Sequence, residues 1–292
     1  MRPLTGVVEA ADLGSSMLSL YWKRFKSNPL TVSGTLIILL LGLVALFSPW
    51  LAPHDPFQQN LLNRLKPPSL HHWFGTDELG RDVFSRVLTG IRVSLTIGVL
   101  SAFISMSIGT IIGLISGYWG GWIDSFFMRV VDIVLCFPTL YLILMILGIL
   151  DKPSFYLVVV VIALTSWAGL ARLIRGETLS MRERDFMLVA KGLGLKTPRI
   201  LFVHLLPNVI SPVLVAATLT VGGAILMESG LSFLGLGVQP PLPSWGNILT
   251  SGKDFIHIAW WLSLFPGLAI LVTVLAFNLL GEGLRDVLDP RL

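Results

Sequence analysis

Three patches of this sequence hold residue types at spacings that chemistry could use. The first is Gly192-Leu193-Gly194-Leu195-Lys196-Thr197, which has the glycines, lysine and hydroxyl of a phosphate-binding loop. Such a loop needs Gly, four residues, then Gly-Lys-Ser/Thr, so that backbone N–H groups and the lysine close on the phosphates together. Leu195 stands where the second glycine must be, so nucleotide binding by this chain is not expected. The second patch pairs acids with bases: Glu78 and Arg81 are three apart, Asp82 and Arg86 four apart, so each pair can meet on one helix face. The third is two isolated acids in apolar surroundings, Asp132 and Glu228. An unpaired carboxylate in lipid costs on the order of several kcal/mol, so both need partners or water. Asp132 with Arg129, at helical spacing, reads as an interfacial pair. Glu228 reads either as a gate or substrate-amine contact, or as a structural hydrogen bond to a neighbouring helix. His-Glu-x-x-His and Gly-x-Ser-x-Gly are absent, so no catalytic residue is expected. The single cysteine, Cys136, lies in an apolar run and reads as a small buried hydrophobe; it supports neither a disulfide nor a metal cluster, and no metal site is expected.

The elements that position these patches follow from composition. The chain is 54% hydrophobic and 13% charged, with mean hydropathy +0.80. A soluble domain carries about a quarter charged residues, and the apolar blocks here reach the roughly 20 residues that a membrane-crossing helix needs. The expected fold is an all-α polytopic membrane protein with six spans. Residues 1–29 form an N-terminal segment whose Lys23, Arg24 and Lys26 hold a retained anchor, span one, at Leu30–Trp50. A loop over 51–93 carries the second patch as an amphipathic elbow, with Thr76 capping a helix whose first turn holds Asp77 and Glu78. The core occupies 94–280: span two at Ser94–Tyr118, three at Val130–Leu150, four at Phe155–Ala171, five from Asn208 to about Met227 with a continuation to Gly237, and six at Ile256–Leu280. A tail follows over 281–292, where Pro290 stops any helix.

Between spans four and five lies the one long polar passage, 172–208, with seven of the chain's 21 basic residues. A helix over Arg172–Lys191 is expected to end at Gly192 and Gly194 through a left-handed cap. Thr197-Pro198 starts a second helix, an N-cap hydroxyl followed by proline, and Pro207-Asn208 bends the chain into span five. The result is a compact knob, or else an ordinary basic loop held by lipid headgroups. With the N-terminus inside, fourteen Lys and Arg fall on cytoplasmic segments and seven outside. Both termini are therefore expected in the cytoplasm, with Trp50, Trp260 and Trp261 at the outer interface. The net charge of +4 records loop placement, not nucleic-acid binding.

Ala190, Gly194, Leu206 and Pro207 resemble the EAA motif of binding-protein-dependent ABC importer permeases. Leu188 and Val189 depart from it, standing where a Glu and the first Ala are usual, and His204 replaces an apolar residue; Glu183 and Asp185 are the available substitutes for the missing carboxylate. His71–Leu95, HHWFGTDELGRDVFSRVLTGIRVSL, is similar to the FGTD-x-LGRD-x-x-SR signature of the peptide/nickel branch. MESGLSFLGLGVQPPLPSWG at Met227–Gly246 and the FNLLGEGLRDVLDPRL ending resemble the same branch, so the likeness runs from Trp22 to Leu292. It implies the type I ABC importer permease fold and a multi-pass subunit of a prokaryotic plasma (inner) membrane. Glu183, Asp185, Ala190, Gly194, Leu206 and Pro207 would then couple to the ATPases. Gly75, Thr76, Asp77, Gly80, Arg81, Asp82 and Arg86 would dock the extracytoplasmic substrate-binding protein, or else cap span two. Glu228 would serve the path or gate.

The implied partners are a homologous permease subunit, two ABC ATPase subunits that bind the ATP and Mg this chain does not, the binding protein, membrane lipid and a peptide substrate. The implied cargo is di- or oligopeptide, with nickel or another small solute as the alternative. An ion-coupled secondary transporter is the rival from another class; it calls for inverted repeats and midplane acids, and neither is visible.

Overall fold

The computed structural model describes residues 17–150 and 154–288. Ten helices account for most of them: α1 (Met17–Ser27), α2 (Pro29–Leu51), α3 (Val83–Trp119), α4 (Gly121–Cys136), α5 (Thr139–Ile149), α6 (Phe155–Arg182), α7 (Asp185–Gly192), α8 (Thr197–Phe233), α9 (Trp245–Gly252) and α10 (Trp261–Leu288). Among the described residues the only β pairing is an isolated bridge between Thr76 and Asp82. Five helices (α2, α3, α6, α8 and α10) are long and apolar enough to cross a membrane, and α4 with α5 makes a sixth span if the bent pair is counted as one.

Local chemistry sets the starts. Asn28 accepts hydrogen bonds from the Leu30 and Thr31 N–H groups, with Pro29 at the first position of α2. Ser154 accepts from Leu157 N–H at the head of α6. Ser244 and Asn247 form a reciprocal capping box on α9.

The centre of the bundle is the parallel contact of α3 with α6. Gly109, Gly113 and Gly117 make a stripe four residues apart along α3, and a Cβ on them would lie 2.9 Å from the Trp167 carbonyl oxygen, 2.7 Å from that of Ala171 and 2.6 Å from Thr178 Cβ. Only hydrogen fits there, so the two backbones touch, the small-residue packing that replaces hydrophobic drive inside a membrane. Around this pair, α8 packs on α3 and α10, and α2 packs on α10; Gly34 and Gly283 are the close-approach points of that last contact.

Several expectations are corrected. The helix of span two begins eleven residues early, at Val83 rather than Ser94. Span three is not one rod over Val130–Leu150: α4 and α5 meet at 87° around Phe137-Pro138, because proline removes a donor and disfavours helix at the residue before it. The helix expected over Arg172–Lys191 is interrupted at Glu183-Arg184. Pro207 does not bend the chain. The backbone widens to a π-helix at Ile200–Leu205, and Leu206 N–H donates to the Leu201 carbonyl, so the proline ring enters α8 without breaking it. Lys196, not Thr197, occupies the cap position of that helix, a one-residue difference. Span six starts at Trp261 and runs through Glu282 and Arg285, residues assigned to the tail. Trp261 is core, 3% exposed, whereas Trp50 and Trp260 are exposed as an aromatic belt requires. Cys136 is exposed in this chain rather than buried. Pro290 lies outside the described residues.

Replacing Gly113 by Val should force α3 and α6 apart and lower stability by about 1–3 kcal/mol, the usual range for overpacking. Gly169→Ala, on open surface of α6, should leave the thermal unfolding midpoint in detergent unchanged or slightly raised.

Candidate functional site

The bundle has two ends of different construction. Residues 183–205 form a knob at one end, beside Gly117 and Tyr118, whose carbonyls approach the Arg182 guanidinium at 3.5 and 3.4 Å. The ends of α1 and α10 lie on this same side, where the Asn28 amide donates to Asp286 at 3.1 Å. Residues 52–82 form a loop at the opposite end, together with α9.

The knob is held by an apolar cluster in which Met187, Ile200, Leu201 and Leu205 pack on Leu114 and Ile174 of the α3–α6 pair. Leu206 is half-buried against it. Gly194 sits at φ +69°, and a Cβ added there would meet nothing within 4 Å, so its backbone conformation, not lack of space, is what calls for glycine. The last bonds of α7, Leu193 N–H to Val189 and Leu195 N–H to Ala190, close the corner. Ala190 is buried, while Leu188, Val189 and Leu193 are 60%, 60% and 74% exposed. Glu183 and Asp185 are exposed, and Glu183 accepts from Arg182 Nε at 3.1 Å. Pro207 is exposed on the adjoining first turns of α8. The six residues named for coupling are thus in one region, with Ala190 and Leu206 facing inward and the acids outward.

At the other end, the expected helix over 76–82 is a clamp instead. Asp77 Oδ1 accepts from the N–H groups of Leu79 and Arg81, each at 2.9 Å, and its Oδ2 accepts from Arg81 Nε at 2.6 Å. Arg86 Nε lies 3.5 Å from the same oxygen, so Arg86 faces Asp77 and not its expected partner Asp82. The Glu78–Arg81 pair forms at 3.3 Å. All three of Asp77, Arg81 and Arg86 are buried. Asp82 is the true cap of α3, accepting from Ser85 N–H at 2.8 Å. Thr76 caps nothing: its hydroxyl donates to the Asn63 carbonyl and accepts from Lys66 N–H at 2.8 Å, while its carbonyl accepts from Trp261 Nε1 at 3.1 Å. Gly75 and Gly80 have positive φ, and a Cβ on Gly80 would overlap the Asn60 carbonyl oxygen. The signature residues therefore hold the 60–66 segment against α3 and α10, a contact that i,i+4 spacing cannot reveal.

Glu228 is wholly enclosed near the same end of α8. Its Oε1 accepts from Ser232 Oγ at 2.7 Å and from Ser244 Oγ at 2.8 Å. Through Ser244 it fixes the head of α9, whose Trp245 is buried and donates from Nε1 to the Val87 carbonyl. The carboxylate is 0% exposed, so no surface of this chain is reached. Two charge pairs escaped the spacing argument because they join different helices. Arg175 of α6 grips Asp124 of α4, which also takes the Ser116 hydroxyl of α3. Arg172 Nη2 meets Asp132 at 2.5 Å, displacing the expected Arg129, with both side chains about half exposed (52% and 54%).

The family model described as the binding-protein-dependent transport system inner membrane component matches residues 109–292, and one described as the N-terminal TM domain of oligopeptide transport permease C matches 16–68. A dipeptide transport system permease protein of Alkalihalophilus pseudofirmus is 44% identical, covering 93% of this chain and 89% of that protein. An oligopeptide transport system permease protein of Bacillus subtilis is 42% identical over 97% and 94%. A glutathione transport system permease protein of Escherichia coli is 42% identical over 93% and 90%. Among solved structures, the MetNI methionine ABC transporter in inward facing conformations shares the fold at TM-score 0.56 and 16% identity, covering 70% of this chain and 97% of that one.

Truncating Asp77 to Ala should leave Arg86 buried without its carboxylate and Arg81 with Glu78 alone, and cost about 3–5 kcal/mol, the usual loss on breaking a buried pair. Asp82→Asn keeps the cap and should cost under about 1 kcal/mol. Thermal unfolding of the two variants, with proteolysis of the 60–82 loop as a local readout, checks the contrast.

Proposed function

The chain belongs to the family of binding-protein-dependent transport system inner membrane components, and from that premise we propose that it forms half of a translocation path for di- or oligopeptides. A homologous permease subunit supplies the other half, an extracytoplasmic binding protein delivers the peptide, and two ATPase subunits bind ATP and Mg and drive the cycle. The observation that carries this reading is the pairing of a rigid glycine-cornered knob at one end of the bundle with a clamped polar loop at the other. Relatives named for dipeptide, oligopeptide and glutathione transport support the peptide class of cargo. The placement of the α1 and α10 ends beside the knob supports a cytoplasmic knob with the described ends of the chain on its side, in a prokaryotic plasma membrane.

In this reading the ATPase contact is unusually apolar. Leu188 and Val189 stand exposed where a charged and a small residue are usual, with Leu193 beside them and Glu183 and Asp185 at the rim. An exposed apolar patch on a compact knob calls for a protein or membrane cover. Glu183 and Asp185 then orient the docking rather than provide most of its affinity. The elbow residues Gly75, Thr76, Asp77, Gly80, Arg81, Asp82 and Arg86 act by holding the loop that the binding protein meets, since their side chains are mostly turned inward.

The path itself is assigned to the face that carries Asp132 and Arg172. A half-exposed ion pair gains at most about 1 kcal/mol in water, while each charge set in lipid costs about 2.5–3.5 kcal/mol even on the milder scale. That face must therefore look onto water or protein. The break at Phe137-Pro138 lies on the same span, and non-helical backbone at membrane depth is tolerated only against protein or a water-filled cavity.

Reconstitution of the chain with its permease partner, ATPases and binding protein in liposomes tests the function. ATP-dependent accumulation of a labelled dipeptide, unaffected by a protonophore, is the expected result; uptake driven by an ion gradient without ATP would overturn it. Gly194→Val should abolish uptake and ATPase co-purification, since a β-branched residue strains the left-handed corner, whereas Gly194→Asn, which tolerates that conformation, should retain most of both.

A further inference from the structure

We propose that His54, His72 and Asp82 bind one divalent transition-metal ion of the zinc class, clipping together the exit of α2, the clamped loop and the head of α3. One ligand atom from each of the three lies within 4.8 Å of the others. His72 Nδ1 is 2.9 Å from Asp82 Oδ1, His54 Nδ1 is 3.8 Å from Asp82 Oδ2, and the two imidazole centroids are 4.9 Å apart. Donors about 2.0–2.2 Å from a tetrahedral zinc lie roughly 3.3–3.6 Å from one another. Side-chain adjustments of about an ångström therefore bring this set to ligand geometry, with no backbone change.

The backbone is already held. His54 N–H donates to Ser85 Oγ at 3.2 Å, and His72 N–H donates to Ser69 Oγ at 3.1 Å. Asp82 is fixed by Ser85 N–H at 2.8 Å. Ligands presented by a fixed frame lose little freedom on binding. The three open onto a polar cavity of about 430 Å³, bordered also by Gln58, Asn60, Asn63 and His71, which leaves room for a water as fourth ligand. The α3 amino terminus disfavours a cation, but the Asp82 carboxylate lies between them and reverses the local sign. Two imidazoles and one carboxylate suit zinc, nickel or copper rather than calcium or magnesium, which take all-oxygen sets. Zinc imposes no geometry of its own and accepts this one most readily.

Equilibrium dialysis of the chelator-stripped full chain, purified through a tag without histidine and held in lipid nanodiscs, tests the site with Zn²⁺ as probe. One zinc per chain is expected. His54→Ala and His72→Ala should each weaken binding at least tenfold, and His257→Ala should not change it. Cobalt loaded into the unaltered chain gives a readout that needs no variant: visible bands of four-coordinate nitrogen and oxygen ligation support the site. No zinc retained, no such bands, or binding undiminished by both histidine substitutions would show that the cluster is only a hydrogen-bonded Asp–His group.

Discussion

Backbone contact between α3 and α6 is the constraint on which the rest of the bundle depends. Inside lipid there is no water to expel, so helices associate through close packing and hydrogen bonds. Gly109, Gly113 and Gly117 let α6 lie directly on α3 over two turns. The Ser101 hydroxyl adds a bond to the Val159 carbonyl further along the same seam. Both features of functional interest are built outward from this pair. The knob hangs from the end of α6 and packs back on Leu114 and Ile174, one residue from each of the two helices. The clamped loop precedes α3 and rests on its first turn.

A knob fastened in this way transmits displacement rather than absorbing it. Met187 and Leu205 are fully buried, so the knob cannot rotate without disturbing close-packed core. Its outer surface is the reverse, with Leu188, Val189 and Leu193 exposed. Any partner that engages that surface in only one of two arrangements of the bundle shifts the equilibrium by its difference in affinity, and one that binds both equally shifts nothing. The stiffness of the inner contact is what makes such a difference available.

The sequence shows where lipid is crossed far better than what happens at the ends of the crossings. Apolar runs placed α2 to within a residue or so, and placed the cores of α3, α6 and α10, because burial in a bilayer is a property of composition over about twenty residues. Gly194 was legible too, since a left-handed corner has one good residue. The elbow was not. Asp82 and Arg86 have helical spacing, yet Arg86 faces Asp77, and the turn around Thr76 and Gly80 meets carbonyls of Asn60, Asn63 and Lys66, which no local pattern connects to it. Asp132 found Arg172 and not Arg129 for the same reason: its partner is on another helix. The break in span three had a signal, Phe137-Pro138, that a window average of hydropathy conceals. The His54–His72–Asp82 group had none, because its members come from three separate parts of the loop and lack the short spacings by which metal ligands are recognised.

The bend in the broken span also has a mechanical reading. Its lower arm, α4, is tied to α6 by the Asp124–Arg175 pair and by Val131 packed near Trp167 and Ala168. Its upper arm, α5, is tied to the same helix by Ile143 and Leu147 against Val158 and Ile162. Two arms at 87° thus share one support, and a displacement of α6 acts on both. Since α6 also carries the knob, a push there and a change of shape at Phe137-Pro138 are displacements of one body. The half-exposed Asp132–Arg172 pair spans α4 and α6 within that body, so it need not break when the body is displaced.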